Sequence, residues 1–115
     1  MLKATTGWIE NSPAAITVCD SEGTILAMNE KSHQVFLKDG GRGLIGSSIF
    51  ACHPETANAK IRDMLVSGEA NVYTIEKNGV KKLIYQFPWK EDGQLAGLVE
   101  WAIEIPFVMP HFVRS

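Results

Sequence analysis

The stretch VYTIEKNGVKKLIYQFPWKEDGQLAGLVEWAIEI, Val72 to Ile105, holds three apolar-rich segments separated by Asn78-Gly79 and by Glu91-Asp92-Gly93. Asn-Gly and Asp-Gly between alternating hydrophobics are the strongest short-range hairpin signals, because both residues of the turn must take a left-handed backbone. The stretch is therefore predicted to be a three-stranded antiparallel meander. Successive side chains of a strand point to opposite faces. Leu83, Tyr85, Phe87 and Trp89 then share one face of the middle strand, and Val99, Trp101 and Ile103 one face of the last. The other face carries Ile84 and Gln86, then Leu98, Glu100 and Ala102. One face is strongly apolar and the other mixed, a division that suits a packing or dimer surface backing onto a ligand pocket.

Upstream, Thr5 or Thr6 can cap a short helix carrying Trp8 and Ile9, which Ser12-Pro13 ends. Ala15 to Cys19 alternates like a strand, Asp20-Ser21-Glu22-Gly23 forms a turn, and Thr24 to Met28 returns as the hairpin partner. Asn29 opens a helix of about two turns that the glycine-rich run Lys38 to Gly43 breaks. That run is no phosphate cradle, since no strand precedes it and no Gly-Lys-Ser/Thr follows. Pro54 suits the first position of a longer helix, which reaches Val66 or Ser67, stops at Gly68, and buries Ala57, Ile61, Met64 and Leu65. The fold class is α+β: a five-stranded antiparallel sheet with short helices and one longer helix packed on one face. Residues 1–12 read as an N-terminal capping helix, 13–106 as the domain, and 107–115 as a C-terminal tail.

A chain of 115 residues has room for one core. A net charge of −2, with 21% charged residues and no block of like charge, offers no electrostatic footprint for nucleic acid or an anionic membrane. No apolar run reaches the length of a membrane span. Cys19 and Cys52 are too few for a disulfide framework, and no leader segment is visible, so the expected setting is cytoplasmic with reduced thiols.

The order of these elements, two strands, short helices, a longer helix and a meander, resembles a PAS domain from Asn11 to Pro106. Asp20-Ser21-Glu22-Gly23-Thr24-Ile25 running into Asn29 resembles the family's Asp-x-x-Gly-hydrophobic run and the asparagine that opens its first core helix. Leu44-Ile45-Gly46, His53-Pro54-Glu55 and Phe87-Pro88-Trp89 before Glu91-Asp92-Gly93 resemble three further family motifs. The Cys52-His53-Pro54 triplet is similar to that of poorly characterised bacterial PAS modules. Glu104-Ile105-Pro106 departs from the family's Asp-Ile-Thr.

The resemblance implies a small-molecule site between the sheet and the helices. Alternation then turns Thr17, Cys19, Val72, Thr74, Ile84, Gln86, Leu98, Glu100 and Ala102 inward, an apolar cavity with a few polar handles. The competing reading fills that space with side chains. An inward Glu100 must find a partner or a proton, and His53 is the natural candidate, unless it only bonds the amides that start the long helix. Some PAS sensors hold haem through a histidine; His53 stands at the helix entrance and not within it. The cofactor is thus left unnamed. The cysteine motif of light-sensing relatives is absent, Ser47-Ser48-Ile49-Phe50 standing there instead. No Ser-His-Asp or Cys-His order and no metal-ligand spacing appears, so no enzyme is expected. The expected function is a sensory module that binds a small molecule in its core. It would form a homodimer through Trp8, Tyr85, Phe87 and Trp101, and the alternative is a ligand-free interaction module.

Overall fold

The computed structural model describes residues 7–51 and 54–115. In chain order the elements are α1 (Trp8–Glu10), β1 (Ala15–Asp20), β2 (Ile25–Met28), α2 (Glu30–Val35), three 3-10 turns (Leu37–Asp39, Gly41–Leu44, Ile49–Ala51), α3 (Glu55–Ser67), β3 (Asn71–Lys77), β4 (Val80–Glu91) and β5 (Gln94–Ile105). The five strands form one antiparallel sheet in the order β2-β1-β5-β4-β3. Each half of the chain thus makes a hairpin, and β1 zips the two together along β5. Thr5 and Thr6, read as caps of the first helix, and Cys52 and His53 lie outside the described residues.

Both predicted turns of the meander form. Asn78 and Gly79 have φ of 53° and 77°, and Asp92 and Gly93 have 53° and 78°. Positive φ at both central residues is what matches a two-residue turn to the twist of its strands. The first turn pairs Lys77 with Val80, so Tyr73 lies opposite Ile84 and Thr74 opposite Leu83. This corrects one expectation. Thr74 and Val72 belong to the outer face, and Asn71, Tyr73 and Ile75 share the face of Ile84 and Gln86, because a two-residue turn always pairs an odd-numbered residue here with an even one.

Asn29 fixes the N-terminal half. Its backbone is extended at the N-cap of α2, and its side-chain oxygen accepts from Ser32 N at 3.0 Å and from Ile16 N at 2.9 Å. Its amide nitrogen donates to Ala14 O at 2.9 Å and to Ile9 O at 2.7 Å. One buried side chain therefore satisfies α1, β1 and α2 together, an arrangement that pays for its burial. Asp20 does similar work in the β1–β2 turn, accepting from Glu22 N and Thr24 N, both at 2.9 Å.

Pro54, expected at the first helical position, occupies the N-cap of α3 instead, and Gly68 ends the helix in a left-handed conformation. The buried residues of α3 are Asn58, Ile61 and Met64, with Leu65 half-buried. Asn58 takes the place expected for Ala57, because its amide reaches back to Phe50 O at 2.9 Å. Ile61 and Met64 pack on Cys19 of β1 and Leu98 of β5, with Ile49, Phe50 and Leu65 around them. At Gly97, opposite Asp20, the strands leave no room for a side chain: a Cβ would stand 1.8 Å from Cys19 O. Only glycine fits there.

Candidate functional site

A cavity of about 390 Å³ lies between the inner sheet face and the helical segments. Its volume is at the smaller end of ligand pockets, roughly 300–1,000 Å³. Thr17 and Cys19 come from β1, Ile25 and Met28 from β2, Gln86 from β4, and Leu98, Val99 and Glu100 from β5. Phe36, Asp39, Leu44, Ile49 and Ile61 close it from the helical side. The register explains the sheet wall: Thr17 pairs with Glu100, Cys19 with Leu98, and Gln86 with Glu100, so these five side chains emerge on one face in adjacent rows.

The sequence reading and the structure overlap in part. Cys19, Gln86, Leu98 and Glu100 line the cavity. Ile84 is buried opposite Ala102, and both lie on the cavity face but outside its walls. Thr74 is on the other face, as the register requires. His53 lies outside the described residues. Ile25, Ile49, Ile61 and Val99 join the walls without having been turned inward by the sequence reading, and four further lining residues, Met28, Phe36, Asp39 and Leu44, were not anticipated either. Met28 follows from the even-odd pairing with Thr17, a signal present in the β1–β2 alternation. The other three sit on or beside the 3-10 turns, which carry no periodicity to read.

The polar part of the wall is a connected chain. Asn71 Nδ2 donates to Gln86 Oε1 at 3.0 Å, and Gln86 Nε2 donates to Glu100 Oε2 at 2.7 Å. The same nitrogen stands 3.5 Å from the Tyr73 hydroxyl. Burial, and then the Glu100 carboxylate nearby, push the Tyr73 phenol above its ordinary value, so it stays protonated. Deeper along β1, Thr17 Oγ1 and Ser32 Oγ bond to each other at 2.6 Å. Burial likewise pushes the Cys19 thiol up, with the Leu98 backbone opposing and Asp20 adding to the rise. Such a thiol is a small hydrophobe and a poor nucleophile. Among the described residues no histidine lines the cavity, and no three His, Cys, Asp or Glu side chains are grouped to hold a metal.

The outer face presents a second, shallower hollow of about 250 Å³, walled among the described residues by Leu83, Tyr85, Phe87, Trp101 and Ile103. Phe87 packs edge-on against Tyr85 at 6.1 Å and Trp101 at 6.4 Å between ring centres. Tyr85 and Trp101 remain 43% and 38% exposed, more than rings sealed in a core would be. Trp89 leaves this aromatic row. At the irregularity between Trp89 and Lys90 its indole N–H reaches Cys19 O at 3.0 Å, bridging the gap that Gly97 leaves in β5.

A sheet of this order with a helical cap over one face and a cavity between them defines a class, the small α+β sensor-type domain. The chain belongs to the PAS fold family, whose model matches residues 9–105. Solved structures agree on the fold. The C-terminal domain of a Streptococcus mutans protein is 15% identical with a TM-score of 0.72, over 90% of this chain and 84% of that one. The Aer2 receptor of Vibrio cholerae, described as a dual PAS-haem oxygen sensor, is 14% identical with a TM-score of 0.60, over 81% and 95%. A Vibrio cholerae VqmA dimer is 12% identical with a TM-score of 0.72, over 92% of this chain and 52% of that one. VqmA bound to DPO also matches with a TM-score of 0.72. No curated protein matches the chain. Among the described residues no helix is long and apolar enough to cross a membrane.

Proposed function

We propose that this chain is a non-catalytic, cytoplasmic sensory module that takes a small molecule into its core cavity and relays occupancy through the sheet. The observation that carries this reading is the cavity itself: about 390 Å³ of space, mostly apolar, with Gln86 and Glu100 presented from adjacent strands. A core that existed only for packing would fill that space, since each void costs contact energy. The protonated, buried Cys19 thiol supports a packing role over a chemical one. Relatives described as a haem oxygen sensor and as bound to DPO support ligand binding as a use of the fold.

A thermal-shift panel of metabolites and cofactors tests the reading, with Leu98→Trp as the control that fills the cavity. At least one compound stabilises the natural chain and fails to stabilise the variant. A panel without any such compound argues for the ligand-free module.

One observation favours self-association as part of the same function. Leu83, Tyr85, Phe87, Trp101 and Ile103 form an apolar hollow on the face opposite the cavity, and contiguous surfaces of this kind mark interaction sites. Trp8, placed on α1 and 52% exposed, does not line that hollow. The homodimer we propose therefore centres on Tyr85, Phe87 and Trp101.

A further inference from the structure

We infer that the molecule the cavity accepts is a small organic cation, a protonated amine on an apolar body, with its charged nitrogen at Glu100. The inference rests on the small-molecule reading and adds the ligand's chemical class. It follows from which hydrogen-bonding groups of the wall are already used. The hydroxyls of Thr17 and Ser32 bond to each other at 2.6 Å, which leaves one O–H proton between the two. Gln86 is locked in one orientation, its oxygen accepting from Asn71 Nδ2 at 3.0 Å and its nitrogen donating to Glu100 Oε2 at 2.7 Å. The second N–H of that amide is nearest the Tyr73 hydroxyl, at 3.5 Å. Gln86 therefore has no strong donor left for a ligand.

Glu100 is different. A carboxylate offers about four lone-pair sites, and among the described residues Gln86 is its one hydrogen-bond donor. Asp39 brings a second carboxylate to the helical wall of the same cavity. Among the described residues no lysine, arginine or histidine lines the cavity. The charged side chains that line the wall among the described residues are thus both carboxylates, and the acceptor sites left on Glu100 outnumber the donors beside it. A carboxylate drawn toward apolar walls requires a compensating positive partner or extra donors, and here the ligand supplies both. The same wall repels carboxylates and phosphates, which bring acceptors to acceptors. Met28, Phe36, Leu44 and Ile61 supply the apolar surface for the body of the molecule.

The test titrates the full chain, by calorimetry, with three matched series: the amine, alcohol and carboxylate of a benzyl, a butyl and a cyclohexylmethyl group. In at least one series the amine binds about tenfold or more tighter than the alcohol, the size of effect a charge-assisted hydrogen bond gives, and the carboxylate does not bind. Glu100→Gln removes that preference, bringing the amine's affinity down to about that of the alcohol. Asp39→Asn, at an exposed wall position that tolerates the change, reduces the preference less. Equal or tighter binding of an alcohol or a carboxylate overturns the inference, and so does silence from all nine compounds. If the metabolite panel still yields a neutral or anionic stabiliser that Leu98→Trp abolishes, only the ligand class has failed. If that panel is silent too, the small-molecule reading falls with it.

Discussion

Asn29→Ala tests whether one side chain ties the N-terminal half of the domain together. The change deletes four hydrogen bonds, to Ile16 N, Ser32 N, Ala14 O and Ile9 O, at distances between 2.7 and 3.0 Å. Three of these four sit in buried surroundings. A buried backbone group left without a partner costs about 1–3 kcal/mol, and loss of an N-cap alone costs about 1 kcal/mol. Water entering the space recovers part of this, so the net loss is about 3–5 kcal/mol. Against a domain stability of about 5–15 kcal/mol that is a large fraction. With a urea m-value of about 2 kcal/mol per molar, the midpoint falls by about 2 M. Asn29→Asp separates donor from acceptor roles. It keeps an acceptor for Ile16 N and Ser32 N but sets an oxygen against the carbonyls of Ala14 and Ile9. The Asp variant is therefore also destabilised at neutral pH and recovers on acidification, because protonation restores one donor. A loss under about 1 kcal/mol for Asn29→Ala, or an Asp variant as stable as the natural chain at neutral pH, refutes the reasoning.

Three further outcomes follow from the geometry. Gly97→Ala destabilises far more than Gly93→Ala in chemical denaturation: both glycines have positive φ, but a Cβ at Gly93 meets nothing within 4 Å, whereas at Gly97 it meets Cys19 O at 1.8 Å. Gly93→Ala costs about 1–2 kcal/mol of left-handed strain; equal losses at the two sites would contradict the close approach of β5 to β1. Stability falls as pH rises above the Cys19 thiol's ordinary value of 9.0, because the unfolded chain releases a proton that the folded chain holds. Cys19→Ala flattens the first part of that decline in a series of urea midpoints, and Tyr73 contributes at higher pH through the same sign. Trp101→Glu places a charge among Tyr85, Phe87 and Ile103 and weakens self-association in light scattering while leaving the melting temperature within a few degrees. A natural chain that is monomeric at micromolar concentration removes the dimer from the account.

The meander was legible because its turns are two residues long and chemically explicit. Asn78-Gly79 and Asp92-Gly93 specify both the hairpins and, by counting outward, the register. The misplacement of Thr74 shows the limit of alternation taken strand by strand: each strand alternates correctly, but only the turn relates one strand's faces to the next. The polar floor of the cavity, Gln86 beside Glu100, was readable from β4 and β5, and among the described residues the donor to Glu100 is this cross-strand neighbour. Asn58 was hidden because a polar residue on an apolar helix face reads as exposed until its backbone partner, the Phe50 carbonyl, is known. Asp39 and Phe36 were hidden because 3-10 segments have no period that assigns a face. Trp89 was expected to join the aromatic row, and only the irregularity beside it accounts for its reach to β1.

Methyl NMR of the chain, titrated with the strongest stabiliser from the thermal-shift panel, tests the central claim most directly. The account predicts saturable shifts at the methyl groups of Ile25, Met28, Ile61 and Leu98, which surround the cavity, with Leu83 and Ile103 on the outer face moving little. Shifts confined to Leu83 and Ile103, or no saturable shift at the cavity methyls, would contradict it.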